Sequence, residues 1–325
     1  MFKVVIKKVS ENIVKSKLRI KGIMLVIIAA MLWGVSGTVA QYLFQKKEFT
    51  PEWLVVIRLL VSGVALLIYS SIKGKQDIFE IWKSKNDRLN LLLFSIMGML
   101  GVQYTYFAAI KYGNSATATI LQYLSPVIIT CYLAIRTKKI PSMQEIIAIV
   151  LALSGTFLII TKGNIHSISI SKLSLFWGIS SAFAAAFYTL QPRSLLKKWS
   201  SVLIVGWGML IGGIAFSFIH QPWDCTGQWS VASVLSIIFV VLFGTLIAFT
   251  CFLESLKYIK PIESSILSAA EPLSAALLSV VWLHEQLGIA EWLGTALIII
   301  TIIVLSYAKR VENPKVVEKI VSSIN

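Results

Sequence analysis

Apolar residues along this chain gather in blocks. Ten mostly apolar runs, near 22–44, 52–72, 89–110, 114–135, 142–161, 172–190, 201–219, 231–255, 262–283 and 289–308, are separated by short polar or basic breaks. About 20 apolar residues is the length an α-helix needs to cross a bilayer core of roughly 30 Å at 1.5 Å per residue. The pattern therefore predicts an all-α membrane protein with ten transmembrane helices, flanked by a basic segment at 1–21 and a tail at 309–325.

Composition excludes the main alternative. With 57% hydrophobic and 14% charged residues and a mean hydropathy of +0.80, the chain has too little charge to cover the surface of a soluble domain. The net charge of +15 would suggest nucleic acid only if it formed a face on a soluble module. Here it sits in the breaks between spans, so the expected partners are the lipid bilayer and a small-molecule substrate, with no nucleic acid. With the N-terminus inside, 24 of the 30 Lys and Arg residues fall on the cytoplasmic side and five outside, with Arg58 inside the second span. The positive-inside rule then predicts a multi-pass protein of the cytoplasmic (inner) membrane with both termini cytoplasmic. The first 21 residues mix Val and Ile with Lys. They read as a solvated tail that enforces topology, or as a helix lying on the anionic inner leaflet, and not as a cleaved signal.

Sliding the chain by 146 residues superposes Lys111-Tyr112 on Lys257-Tyr258, Ile120-Leu121 on Ile266-Leu267, Pro126 on Pro272, Glu145 on Glu291 and Leu151 on Leu297 without a gap. Lys-Tyr, Pro and Glu are not what hydrophobic bias produces, so the chain reads as a duplication, with five-helix halves at 22–161 and 172–308. Five crossings per half make the second enter the membrane from the opposite side, an inverted repeat of the kind that builds secondary transporters.

Within the spans, Glu271 is the costliest residue, since a carboxylate in hydrocarbon costs about 2.5–3.5 kcal/mol even on the lenient insertion scale. It should face the interior, beside Pro272. Pro126 is its counterpart, and the two prolines are expected to break spans nine and four where they border a cavity. Ser264, Ser268, Glu271 and Ala275 form one polar and small stripe. Ala118, Gln122, Ser125 and Ile129, flanked by Tyr123, form the matching one. The stripes are expected to face each other, with Trp33 and Tyr104 among the aromatic lining. Arg58 lies about 9 Å from the outer end of its span. It either snorkels outward or pairs with a substrate carboxylate or a backbone terminus. Glu254 and Glu263 read as local partners of Lys257 and Lys260. Gly208 and Gly212 form a GxxxG that suits helix contact within one bundle, leaving a monomer or weak dimer. Cys131, Cys225 and Cys251 are too scattered for a disulfide framework. There is no phosphate loop, and His284-Glu285 lacks the second histidine of HExxH; His166 and His220 stand singly. No enzyme, cofactor or metal site is expected.

Taken together, Ala30-Met31-Leu32-Trp33-Gly34, Arg58 with its small-residue stretch, Ala269-Ala270-Glu271-Pro272, and Trp282-Leu283-His284-Glu285-Gln286-Leu287 followed by Glu291-Trp292-Leu293-Gly294 resemble the EamA-type branch of the drug/metabolite transporter superfamily over residues 22–308. The first half departs by having Lys139 where Glu285 stands. The resemblance implies a five-plus-five inverted fold and a secondary transporter, an exporter or facilitator, that passes small metabolites such as amino acids by alternating access. Uniport and proton antiport both stay open and turn on Glu271. The competing readings are a non-transporting sensory or interaction protein, and a carrier of nucleotide-sugars or lipids, which would want more cationic residues within the spans.

Overall fold

The computed structural model describes residues 2–73, 77–138, 142–164, 170–255, 258–259 and 267–311, with the backbone alone for 2–17, 137, 253 and 305–311. Among the described residues the chain is helical and contains no strand. Its helices follow the apolar blocks: α1 (Phe2–Lys46), α2 (Pro51–Lys73), α3 (Lys85–Tyr112), α4 (Ser115–Arg136), α5 (Met143–Thr161), α6 (Lys172–Leu196), α7 (Ser201–Ser217), α8 (Val231–Phe252), α9 (Ala270–Val281) and α10 (Ile289–Val311). Seven of them, α1 to α6 and α8, are long and apolar enough to cross a membrane. The apolar parts described for α7, α9 and α10 are shorter.

Local sequence sets the ends. Six helices start behind a Ser or Asn whose side chain accepts the backbone N–H three residues on: Ser84 from Asp87, Asn114 from Thr117, Ser142 from Glu145, Ser171 from Ser174, Ser200 from Leu203 and Ser230 from Ser233. Each such cap satisfies one of the N–H groups that a helix start leaves without a partner. The first helix differs from expectation. It begins at Phe2 rather than near residue 22, because no Gly or Pro precedes Gly22 to stop a stretch of Val, Ile and Lys from continuing the span.

Structural landmarks recur at the 146-residue spacing. The caps Ser84 and Ser230 correspond, and each begins a helix that widens into a π-helical segment, Phe94–Leu100 in α3 and Phe239–Ile247 in α8. Lys138 and His284 both take the left-handed conformation after α4 and α9, with φ of 52° and 57°. Glu145 and Glu291 each reach back from the first turn of the next helix, accepting the backbone N–H of Ser142 and of Gly288 at 2.8 Å.

The prolines correct one expectation. Neither lies in the middle of a helix: α4 is interrupted by a turn at Tyr123 and Leu124, and the turn at Ser268 and Ala269 precedes α9. Pro126 and Pro272 then stand in the first turn of the segment that follows. A first-turn proline loses no hydrogen bond. The break therefore lies one turn ahead of each ring.

Helices pair where glycine lets backbones approach. A Cβ on Gly155 of α5 would stand 2.8 Å from the Gly294 carbonyl of α10, and one on Gly63 of α2 would stand 2.5 Å from the Leu210 nitrogen of α7. Gly208 and Gly212 of α7 meet Phe94 and the Ser95 carbonyl of α3, so the GxxxG works within the chain. α1 packs against α8 and α9, and α6 against α3 and α4. The surface is inside-out relative to a soluble protein. Ile68, Leu153, Phe157, Phe176, Phe183 and Leu235 are exposed while Gln41, Arg58, Ser115, Thr119, Thr245 and Ser279 are buried, the arrangement that lipid tails favour. The three cysteines are free.

Candidate functional site

Glu271 stands in the first turn of α9, where the helix dipole and unsatisfied N–H groups favour a negative side chain. It faces α4 across the two breaks. The Tyr123 hydroxyl lies 2.8 Å from the Ser268 carbonyl and 3.0 Å from Glu271 Oε2. Ser274 donates to the Glu271 carbonyl at 2.9 Å. α1 closes this side through Gly34, where a Cβ would stand 2.5 Å from the same carbonyl. Glycine is needed there for close approach alone. The site is thus made at helix ends, where turns free backbone carbonyls that a continuous helix would use internally.

One turn from Tyr123, Thr119 bonds the Tyr106 hydroxyl of α3 at 2.8 Å. The ring reaches α1 at Gly37, where a Cβ would stand 2.6 Å from its oxygen. One turn further along α4, Ser115 is the hub of a buried polar network. Its hydroxyl lies 3.1 Å from Thr38 Oγ1 and 2.8 Å from Ser279 Oγ, and its N–H donates to Gln41 Oε1 at 2.8 Å. Gln41 in turn donates to Glu285 at 2.7 Å and to Gln45 at 3.1 Å, and Gln45 donates to the Gly113 carbonyl at 2.6 Å. This network ties α1, α4 and the end of α9 together at the end of the bundle that carries the 113–114 turn. Ser115→Ala is expected to cost about 2 kcal/mol, because Ser279 is left buried without its described partner; thermal unfolding in detergent, with Ser180→Ala on the exposed face of α6 as the reference, measures it.

Arg58 does not snorkel. It is 4% exposed, its Nε donates to Thr245 Oγ1 of α8 at 3.1 Å, and its guanidinium lies over the Phe107 ring at 4.6 Å.

Of the residues singled out in the sequence, Glu271, Ser268 and Tyr123 come together. Gln122 and Ser125 are half-buried beside them, and among the described residues their side chains make no hydrogen bond. Ala118 and Ile129 are buried. The hydrogen-bonding face of α4 is Ser115, Thr119 and Tyr123, rotated from the expected stripe. Tyr104 is placed elsewhere. Its hydroxyl donates to Glu52 at 2.9 Å and its ring meets Trp177 and Phe216, since two residues along a helix turn it away from the side that Tyr106 occupies. Trp33 packs its ring on Phe249 and Phe252 of α8, with centroids 5.1 and 5.3 Å apart. Ser264, Glu263, Lys257, Lys260, Lys139, His166 and most of the C-terminal tail lie outside the described residues; Glu254 accepts from Tyr258 at 2.9 Å. The sequence reading missed Thr38, Gln41, Ser115, Thr119 and Ser279. Thr38, Gln41 and Gln45, spaced three and four apart, were the available signal for the network.

Known proteins give this arrangement a context. The sequence profile of the EamA-like transporter family matches residues 20–161 and again 172–307. The chain is 41% identical over 290 residues to a Salmonella typhimurium protein named as an uncharacterized inner membrane transporter, YicL, covering 89% of this chain and 96% of that one. It is 28% identical over 286 residues to a Bacillus subtilis protein named as an uncharacterized transporter, YwfM, covering 88% and 93%. A crystal structure of another protein superposes with a TM-score of 0.63 over 90% of this chain and 99% of that chain, at 17% identity, which speaks for the fold alone. The profile matches the chain twice, its described residues are helical, and the chain belongs to the EamA-like transporter family.

Proposed function

We propose that this protein is a secondary transporter of the cytoplasmic membrane that moves small metabolites such as amino acids by alternating access between two inverted five-helix halves, 22–161 and 172–308, with both termini cytoplasmic. The observation that carries the reading is the pairing of Tyr123 with Glu271 at two corresponding helix breaks. It joins the halves at an interior carboxylate. The inverted arrangement draws support from the recurring caps, π-helical segments and left-handed residues. Exchanging the halves also maps the contact of α1 with α9 onto that of α6 with α4, and α1 with α8 onto α6 with α3.

In this arrangement Glu271, Tyr123 and Ser268 bind the substrate, with Gln122, Ser125 and Ser264 as flanking candidates. On the cytoplasmic-termini topology, the Ser115 network seals the outer end. Proton coupling in this arrangement runs through the Glu271 carboxyl. A phenol has one hydrogen, so when Tyr123 donates it to the Ser268 carbonyl, its contact with Glu271 is a hydrogen bond only if the carboxyl is protonated. Proton release would turn the phenol's hydrogen from the Ser268 carbonyl to the Glu271 carboxylate, and a substrate ammonium could compete for that charge.

Solute counterflow in proteoliposomes, with a panel of amino acids and other metabolites and with or without a pH gradient, tests the reading. Saturable flux for members of the panel, enhanced by the gradient, is the expected result. The absence of flux for every solute would turn the assignment to a sensory or interaction role.

A further inference from the structure

The Glu271 and Tyr123 pair leaves the other interior charge unused. Arg58 is held on two sides, by Thr245 through Nε and by the Phe107 ring under its plane. These contacts fix the direction of the guanidinium, and among the described residues its two terminal nitrogens make no hydrogen bond. Among the described residues no carboxylate lies within ion-pair distance of it. A buried guanidinium without a counter-ion is costly in a membrane protein and marks a functional path more often than a structural one.

Two further buried groups make no hydrogen bond among the described residues. Ser62, four residues along the same face of α2, is 1% exposed, and among the described residues its hydroxyl has no hydrogen-bond partner. The Trp33 indole N–H of α1 is buried and likewise has no acceptor among the described residues. Trp33 packs on Phe249, one helical turn from the Thr245 that anchors Arg58. Thus α1 places an unspent donor against Phe249, one turn along α8 from Thr245, and α2 carries Ser62 one turn from Arg58. Thr245 lies in the π-helical segment Phe239–Ile247 and donates its own hydrogen to the Val240 carbonyl five residues back. That leaves its oxygen free to accept from Arg58. Segments of this kind recur at functional sites because they displace side chains from the regular helical register.

We infer that Arg58, supported by Ser62 and the Trp33 indole, forms an oxyanion subsite that takes the carboxylate end of the transported solute, separate from the Glu271 and Tyr123 pair. The subsite rests on the transporter reading and adds a selectivity to it. A planar guanidinium with parallel N–H groups matches a carboxylate in a way that an ammonium does not. Tyr106, adjacent to the Phe107 that carries Arg58, is bonded to Thr119 one turn from Tyr123, so the two subsites adjoin along α3 and α4. A solute with both a carboxylate and an ammonium would engage both.

The test is counterflow of matched pairs, each an amino acid and its decarboxylated amine, in wild type and in Arg58→Gln. The wild type is expected to prefer the acid-bearing member by at least about 10-fold, and Arg58→Gln to lose about 10- to 100-fold of that member's flux while changing the amine's by less than about 2-fold, the loss expected of hydrogen bonds to a charged group. Equal losses for both members, or a wild type without preference, would overturn the subsite and leave the transporter reading intact. A wild type that moves no member of any pair overturns the transporter reading itself, and the subsite with it. Should Arg58→Gln fail to reach the membrane, Thr245→Val and Ser62→Ala are read for the same ratio. Each is expected to lower it about 3-fold or more, and an unchanged ratio in both would sink the inference.

Discussion

Glu271→Gln protein, reconstituted beside wild type, is expected to lose its response to a pH gradient and to retain about one hundredth of wild-type counterflow. Glutamine preserves the size of the side chain and its place in the first turn of α9, so the packing of α1 against Glu271 and Ser274 is kept. It cannot release a proton, and it offers a substrate ammonium a neutral oxygen in place of a carboxylate. Hydrogen bonds to charged groups are worth about 1.5–3 kcal/mol, which is roughly 10- to 150-fold. Tyr123→Phe removes the phenol shared between Ser268 and Glu271 and is expected to reduce flux about 10-fold. The double variant is expected to be no worse than Glu271→Gln alone, because residues in one hydrogen-bonded unit do not add. Gradient-driven flux persisting in Glu271→Gln would remove the carboxylate from the coupling step. Losses that multiply would show Tyr123 acting independently of it.

Replacing Gly34 is the second large effect. A Cβ there would stand 2.5 Å from the Glu271 carbonyl and 3.0 Å from the Ala275 nitrogen, and would collide with the Ser274 hydroxyl. Two of these are backbone atoms that cannot rotate away. Gly34→Val is therefore expected to push α1 off α9, costing more than about 3 kcal/mol by analogy with overpacked cores and abolishing flux. Gly101→Ala is the control. Its nearest contact would be an ordinary 3.6 Å from the Ile96 carbonyl, and alanine is the better helix former by about 1 kcal/mol. Thermal unfolding and counterflow on the same preparations measure both. A Gly34→Val protein with wild-type stability and flux would mean that α1 and α9 are not packed this closely in the working protein.

The duplication was legible because its marks are chemical rather than hydrophobic. Pro126 and Pro272, and Glu145 and Glu291, stand out against apolar helices, and the structure gives each glutamate the same hydrogen bond at the start of its helix. Glu271 was legible for a related reason, since a carboxylate in an apolar run has few affordable places. Orientation around a helix was harder. In a helix that is apolar all round, periodicity does not say which face meets protein and which meets lipid. The expected stripe through Ala118, Gln122 and Ser125 therefore came out turned relative to the face that bonds, Ser115, Thr119 and Tyr123. Tyr104 and Tyr106 could not be told apart for the same reason, and the partner that draws Tyr104 away, Glu52, is 52 residues distant.

By itself, then, the sequence determined the all-helical membrane class, the approximate ends of the apolar helices, the repeat spacing and the interior carboxylate. Each of these follows from short-range terms: apolar length, capping residues, and the cost of charge in hydrocarbon. Only the tertiary structure decided that the prolines follow the breaks, that Tyr123 is the partner of Glu271, that Arg58 turns inward onto Thr245 and Phe107, and that Gln41, Ser115, Ser279 and Glu285 close one end of the bundle. Those outcomes depend on which hydrogen-bonding groups meet across helices far apart in the chain. In a bundle whose outside is apolar and whose inside is polar, that choice is set by close glycine contacts and polar satisfaction, and hydropathy along the chain carries no record of either.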